Sequence, residues 1–146
     1  MPAHTILIAD DEPYITYMLA SRLTEREMNV MTATNGEEAL AMAIASPPRV
    51  IVTDFQMPRM SGLDLARALK GRPETAAIPI VMLTARGHKL TPTELRETSI
   101  QHLMFKPFSA RELVALLDEY LDPDRAATAP ERVLDPFRAI RRREAA

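Results

Sequence analysis

The stretch Thr5-Ile-Leu-Ile-Ala-Asp-Asp-Glu12 decides the fold of this chain. Its first five residues are almost continuously apolar and rich in β-branched side chains, which is typical of a short strand buried on both faces. Acidic residues follow at once, and apolar residues then recur at helical spacing between Ile15 and Leu23. The stretch therefore predicts a buried strand that leads into a helix, with charged residues at the junction.

The same alternation of strand and helix recurs along the chain. Further short apolar runs predict strands at Val30–Ala33, Val50–Thr53, Ile78–Leu83 and Leu103–Phe105, of which the first is the weakest. The signals for helix ends between these runs are Asn35 as a cap, Gly71 after the Leu63–Leu69 pattern, and capping boxes at Thr91–Glu94 and Ser109–Glu112. Five successive strand–helix units predict a parallel sheet covered by helices on both faces, with right-handed crossovers.

Chemistry in such a sheet is expected at the carboxyl ends of the strands, where ligands bind. The residues predicted to lie there are Asp10, Asp11 and Glu12 after the first strand, Asp54 after the third, Thr84 after the fourth and Lys106 after the fifth. Carboxylates that lie a few ångströms apart repel each other. A hard divalent cation that prefers oxygen ligands, such as Mg²⁺, would relieve that repulsion.

The same residues suit the transfer of a phosphoryl group to an aspartate. A carboxylate can act as the nucleophile. An ammonium and a metal ion would neutralise charge on the phosphoryl oxygens, and a hydroxyl would donate a hydrogen bond to them. Since no residue is obviously placed to activate water for rapid hydrolysis, the pattern favours a phosphoryl acceptor.

Four motifs together resemble the receiver domain of two-component response regulators. They are Ile-Leu-Ile-Ala-Asp10-Asp11-Glu12, Val-Thr-Asp54-Phe-Gln-Met57-Pro58 with Gly62, Leu-Thr84-Ala85, and Lys106-Pro107-Phe108, within residues 4–121. The resemblance implies a flavodoxin-like, doubly wound (βα)5 fold whose five-stranded parallel sheet has the order 2-1-3-4-5. It also implies a phosphoacceptor switch rather than an enzyme, which takes a phosphoryl group from the phosphohistidine of a sensor histidine kinase or a phosphotransfer protein.

The resemblance also assigns a role to each landmark. Asp54 would accept the phosphoryl group, Thr84 would move toward it and Lys106 would pair with it. The ligands implied for Mg²⁺, or for Mn²⁺ in its place, are Asp10, Asp11, Asp54 and the backbone carbonyl of Gln56. The peptide bond that precedes Pro107 is expected to be cis.

The chain departs from the family pattern near the switch. Leu103 stands where the family usually carries an aromatic residue, and Gln56 and Arg86 occupy variable positions that border the phosphate. Because Leu103 has no ring to rotate, we expect the response to involve the 85–91 loop. The face made by the fourth helix, fifth strand and fifth helix would carry the response, and a phosphorylation-dependent homodimer could form through it.

Two other functional classes stay open at this stage. A haloacid-dehalogenase-like phosphohydrolase also uses an aspartate nucleophile, but it expects a second aspartate two residues later, where this chain has Glu12 and then Pro13. A receiver-like protein that binds a partner without phosphate would not need Thr84 or Lys106. Taken singly, the acidic residues before Pro13 also have an ordinary interpretation, as charges in the first turn of a helix.

Composition excludes several further functions. The 146 residues are 47% hydrophobic and 26% charged with a formal net charge of −2, which is typical of one globular domain without a positive field for nucleic acid. The absence of cysteine removes disulfides and thiol chemistry, and scattered His4, His88 and His102 predict no histidine metal site. No signal peptide is recognised and no apolar run reaches the ~18 residues that cross a bilayer, so we expect a cytoplasmic protein without membrane contact.

Residues 122–146 are expected to form a linker and a short basic tail. Asp135 and Pro136 would begin a short helix that ends near Arg141–Arg143. The segment is too short for a separate DNA-reading domain with its own core. We therefore expect a single-domain regulator that signals through protein–protein contacts.

Overall fold

The computed structural model describes residues 5–85 and 90–121, which alternate between strands and helices as predicted. The strands are β1 (Thr5–Ala9), β2 (Asn29–Ala33), β3 (Val50–Asp54), β4 (Ile80–Ala85) and β5 (Ile100–Lys106). The helices are α1 (Pro13–Thr24), α2 (Gly36–Ala45), α3 (Gly62–Lys70), α4 (Pro92–Arg96) and α5 (Ala110–Leu121). All strand pairs are parallel and the sheet order is β2-β1-β3-β4-β5, which confirms the predicted flavodoxin-like fold.

An apolar layer covers each face of the sheet. One core cluster joins alternate strand residues, such as Leu7 and Ile51, to buried residues of α2 and α3. The other joins the intervening strand residues, such as Ile8 and Val52, to buried residues of α1 and α5. Because β1 and β3 are central strands with both faces covered, nearly all of their side chains are buried, as their continuous apolar runs predicted.

The predicted capping residues begin their helices. The Asn35 side chain accepts a hydrogen bond from the backbone N–H of Glu38 at 2.8 Å. Thr91 and Glu94 form a reciprocal capping box with donor–acceptor distances of 3.1 and 2.8 Å. Gly71 ends α3 as predicted, but its φ of −78° is right-handed, so the helix ends without the left-handed conformation that favours glycine.

Two strands begin at other residues than predicted. β5 begins at Ile100 rather than Leu103, and its register with β4 shifts by one residue near its start, which leaves Gln101 as an extra residue. Because β5 lies at the edge of the sheet, its polar and exposed positions interrupt the apolar pattern. β4 begins at Ile80, after Pro79, whose nitrogen has no hydrogen to donate to a neighbouring strand.

Some predictions fall on other parts of the chain. Arg86 and the tail at 122–146 lie outside the described residues. Among the helices of the described ranges, none has the length and apolar character needed to cross a membrane.

Candidate functional site

The carboxyl ends of the inner strands and of β5 meet at one edge of the sheet. Ala9 at the end of β1 pairs with Thr53, directly before Asp54. At the other side of the sheet, Ala85 at the end of β4 pairs with Lys106 at the end of β5. The parallel register therefore brings together the residues that the sequence predicted to share this edge.

Three carboxylates and one ammonium form the centre of the candidate site. Oxygen atoms of Asp10, Asp11 and Asp54 all lie within 4.8 Å of one another. The Lys106 Nζ lies 3.4 Å from Asp10 Oδ2, 3.4 Å from Asp54 Oδ1 and 3.6 Å from Glu12 Oε1. Asp10 and Asp54 are buried whereas Asp11 is exposed, so a cation could enter from the Asp11 side.

The turn after β1 fixes the Asp10 carboxylate. Its Oδ1 accepts a hydrogen bond from the backbone N–H of Glu12 at 2.9 Å. α1 begins only at Pro13 and has no acidic residue in its first turn, so the ordinary interpretation of the acidic residues as first-turn charges is wrong. At the opposite side of the site, the peptide bond from Lys106 to Pro107 is cis, as the resemblance implied.

The start of α3 packs directly against the backbone of Asp54. The Gly62 N–H donates a hydrogen bond to the carbonyl oxygen of Phe55 at 2.8 Å. A Cβ atom at position 62 would lie 2.2 Å from the Asp54 carbonyl oxygen and 2.9 Å from the Met82 sulfur. Because a backbone oxygen has no rotamer by which to withdraw, only glycine fits between α3 and the end of β3.

Gly62→Ala is therefore expected to lower the free energy of unfolding by about 2–3 kcal/mol, as overpacking against fixed backbone does. Gly71→Ala is the matched control, since the nearest atoms to its added Cβ lie at 3.6 and 3.8 Å and its φ suits alanine. That control should be neutral or gain about 0.5 kcal/mol. Urea denaturation of both variants checks this, and equal stability of the two would contradict the steric account.

A cavity of about 230 Å³ opens beside the carboxylates. The residues that line it are Asp11, Glu12, Asp54, Phe55, Gln56, Ala85 and Lys106. Thr84 is not among these described lining residues. Its buried hydroxyl donates to the carbonyl oxygen of Ala85 at 3.3 Å, so it lies next to the site without contacting the carboxylates. Leu103 is 4% exposed and belongs to the apolar core.

Burial and charge shift the pKa values of three groups. Burial raises the pKa of Asp10; the nearby Asp54 charge adds to this, while the Glu12 N–H and Lys106 oppose it. Burial likewise raises the pKa of Asp54 against the opposing effect of Lys106. Burial alone would lower the pKa of Lys106, but the carboxylates around it outweigh burial and raise it. The ammonium therefore stays charged at neutral pH, while the buried carboxylates have more negative charge than one lysine neutralises.

Sequence reasoning did not foresee that Glu12 reaches Lys106. It assigned the acidic residues by their place after β1 and gave Glu12 no part in the site. The available signal was adjacency, because a residue next to two buried carboxylates stands at the entrance of whatever cavity they form. The side chains of Phe55 and Ala85 at the cavity wall were likewise not foreseen.

A family model described as "Response regulator receiver domain" matches residues 6–118. The phosphate regulon transcriptional regulatory protein PhoB of Pseudomonas aeruginosa is 40% identical over 121 residues, covering 83% of this chain and 53% of PhoB. The transcriptional regulatory protein SrrA of Staphylococcus aureus is 32% identical over 129 residues, covering 88% of this chain and 52% of SrrA. The chain thus spans about half the length of these curated relatives.

Solved structures show the same likeness. The chemotaxis response regulator CheY4 of Vibrio cholerae superposes with a TM-score of 0.73 at 29% identity, covering 82% of this chain and 99% of that one. The receiver domain of NtrX from Brucella abortus superposes with a TM-score of 0.70 at 27% identity, covering 80% of this chain and 97% of that one.

Proposed function

Since the chain belongs to the response regulator receiver domain family, we propose that Asp54 accepts a phosphoryl group from the phosphohistidine of a histidine kinase or phosphotransfer protein. Members of this family are phosphoacceptor switches, and the alternative of a haloacid-dehalogenase-like hydrolase has no support. The observation that carries the proposal is the contact of one ammonium, on Lys106, with Asp54 and Asp10 at 3.4 Å each. A cytoplasmic location and a receiver domain that spans residues 4–121 are part of the same proposal.

The residues present fit a hard divalent cation. Asp10, Asp11 and Asp54 offer three oxygen ligands within 4.8 Å of one another, with more negative charge than Lys106 alone neutralises. Oxygen-rich sites of this kind suit Mg²⁺ or Mn²⁺, and the backbone carbonyl of Gln56, at the cavity wall, would complete the protein ligands. When bound, the cation supplies positive charge that stabilises phosphoryl oxygens.

The chain's own residues would then act as follows. A carboxylate oxygen of Asp54 forms the bond to phosphorus while the phosphorus–nitrogen bond of the phosphohistidine breaks, and that electron pair returns to the imidazole. Lys106 pairs with a phosphoryl oxygen. The Thr84 hydroxyl leaves the Ala85 carbonyl and donates to a second phosphoryl oxygen, which couples the end of β4 to the phosphorylation state.

Incubation with Mg²⁺ and acetyl phosphate, followed by intact mass measurement, tests the proposal. We expect the mass to increase by one phosphoryl group, and the group to be lost in base and retained in acid. Chelation of the cation with EDTA should prevent the increase. A chain that gains no mass at any Mg²⁺ concentration would instead be a receiver-like protein that acts without phosphate.

Asp11→Asn is expected to uncouple metal binding from metal-free stability. The negative charge of Asp11 opposes ionisation of Asp54, so its removal should raise the metal-free stability by up to about 1 kcal/mol. Loss of a ligand oxygen should weaken Mg²⁺ affinity by at least about 10-fold. Thermal melts over a Mg²⁺ titration measure both effects. Asp64→Asn on the exposed side of α3 is the matched control, and an unchanged Mg²⁺ affinity in Asp11→Asn would remove Asp11 from the site.

Output through protein–protein contacts by a single-domain regulator is likewise a proposal. Leu103 lies in the core rather than in a rotating position, so the face made by α4, β5 and α5 would respond through its loops. Because PhoB and SrrA are named transcriptional regulatory proteins of about twice this length, a receiver within a longer DNA-binding regulator is the alternative. Titration of this chain with duplex DNA at about 0.15 M salt should show no sequence-selective binding. Selective binding would favour the alternative.

A further inference from the structure

Lys106 is shared by three carboxylates, but they differ in kind. Asp10 and Asp54 have side chains that are 0% and 9% exposed, and both belong to the group of oxygens that could hold a cation. Glu12 is 61% exposed and does not belong to that group, although its Oε1 lies 3.6 Å from the Lys106 Nζ. Within the described ranges, Glu12 is thus the one ion-pair partner of Lys106 that a bound cation would leave unoccupied.

The Glu12 side chain stands at the entrance of the cavity. Glu12 is the residue directly before α1, yet its side chain makes no capping hydrogen bond to that helix. Its backbone is fixed by the hydrogen bond to Asp10 Oδ1, and its side chain lines the cavity together with Gln56 and Ala85. The carboxylate is therefore held near the route by which a phosphoryl donor would reach Asp54.

Cation binding would change which partner holds Lys106. A divalent cation on Asp10 and Asp54 neutralises their charge and repels the neighbouring ammonium. The attraction from Glu12 is unaffected, because Glu12 is not among the cation's ligands. We propose that Glu12 is a positioning residue that keeps the Lys106 Nζ at the cavity entrance in the metal-bound protein and competes with the incoming phosphoryl group for it. The competition with phosphoryl rests on the proposed function, whereas the contact in the metal-bound state does not.

The contact is tested first by NMR without any phosphoryl donor. The chain has three lysines, at positions 70, 89 and 106, so a sample labelled at lysine Cε gives three signals, of which Lys106→Gln identifies one. In saturating Mg²⁺, Glu12→Gln should shift the Lys106 signal and leave the other two in place. Glu25→Gln, at the far end of α1, should shift none of them. An unmoved Lys106 signal in Glu12→Gln would overturn the proposal.

The competition is tested by the rate of phosphorylation in saturating Mg²⁺. Glu12→Gln should raise the rate constant by about 2- to 5-fold, the range expected from release of one exposed ion pair. Because the effect acts through Lys106, it should be equal for acetyl phosphate and for the less negatively charged phosphoramidate. It should also disappear when Glu12→Gln is combined with Lys106→Gln.

Three outcomes separate the proposal from its neighbours. A gain restricted to acetyl phosphate, or one that persists without Lys106, would mean that Glu12 merely repels anionic donors, and would overturn the positioning role. An unchanged rate would overturn it as well. A wild-type protein that gains no phosphoryl group refutes the proposed function, and the NMR shift then decides alone whether Glu12 holds Lys106.

Discussion

Replacement of Asp54 with asparagine is expected to abolish phosphoryl labelling while leaving the fold intact. A carboxamide oxygen is a poor nucleophile toward phosphorus, and the remaining carboxylates are placed for a cation rather than for attack. Asparagine is nearly the same size as aspartate, so the packing of Gly62 against the backbone at position 54 is retained. Asp64→Asn should label like the wild type. Persistent labelling of Asp54→Asn would mean that another residue is the acceptor.

The same substitution should raise the metal-free stability at neutral pH. Burial raises the pKa of Asp54 above its ordinary value of 3.8, so the ionised carboxylate costs folding free energy at any pH above the folded-state pKa. That cost disappears as the pH falls from the folded-state pKa to the ordinary value. The stability difference between Asp54→Asn and the wild type should therefore be largest near neutral pH and vanish below pH 3.8. Urea denaturation across this range measures it, and a difference that grows in acid would contradict the account.

Replacement of Lys106 with glutamine should affect both stability and chemistry. Asp10 and Asp54 would lose the cation that lies 3.4 Å from each, and the free energy of unfolding of the metal-free protein should fall by about 2–3 kcal/mol. Mg²⁺ should restore part of this loss, because it neutralises the same carboxylates. Phosphorylation should slow by about 100-fold, since one charged donor to the phosphoryl oxygens is gone.

Lys70→Gln is the matched control for this experiment. Lys70 contacts the hydroxyl of Ser99 at 3.5 Å, away from the carboxylates, and should be near neutral in both measurements. A Lys106→Gln protein that is as stable as the wild type and is phosphorylated at the same rate would remove the ammonium from the proposed mechanism. Loss of stability that Mg²⁺ fails to relieve would indicate packing rather than charge as its cause.

Much of the fold was predictable from the sequence because buried parallel strands and capped helices leave strong local patterns. The runs at Thr5–Ala9 and Val50–Thr53 are apolar throughout because helices cover both faces of these strands. β5 was located only in part, since an edge strand has one unpaired side and accepts polar residues such as Gln101. The geometry that ends α3 at Gly71 was not predictable, because a glycine permits the left-handed conformation without requiring it.

The members of the candidate site were predictable, but their contacts were not. Parallel topology alone places residues that follow successive strands at one edge, which is why Asp10, Asp54 and Lys106 were expected together. Topology does not say how far a flexible side chain reaches, so the contact of Glu12 with Lys106 had to come from the structure. It also does not orient a hydroxyl, and Thr84 turns toward the carbonyl of Ala85 rather than toward the carboxylates.

The central claim is that Asp54, and not another residue of the acidic cluster, forms the acyl phosphate. Borohydride reduction of the phosphorylated protein converts an aspartyl phosphate to homoserine, which tandem mass spectrometry locates in the sequence. We expect homoserine at position 54 alone, and in Mg²⁺-treated samples alone. Homoserine at position 10 or 11, or a phosphoryl group that resists reduction and stays on Thr84 or a histidine, would contradict the account.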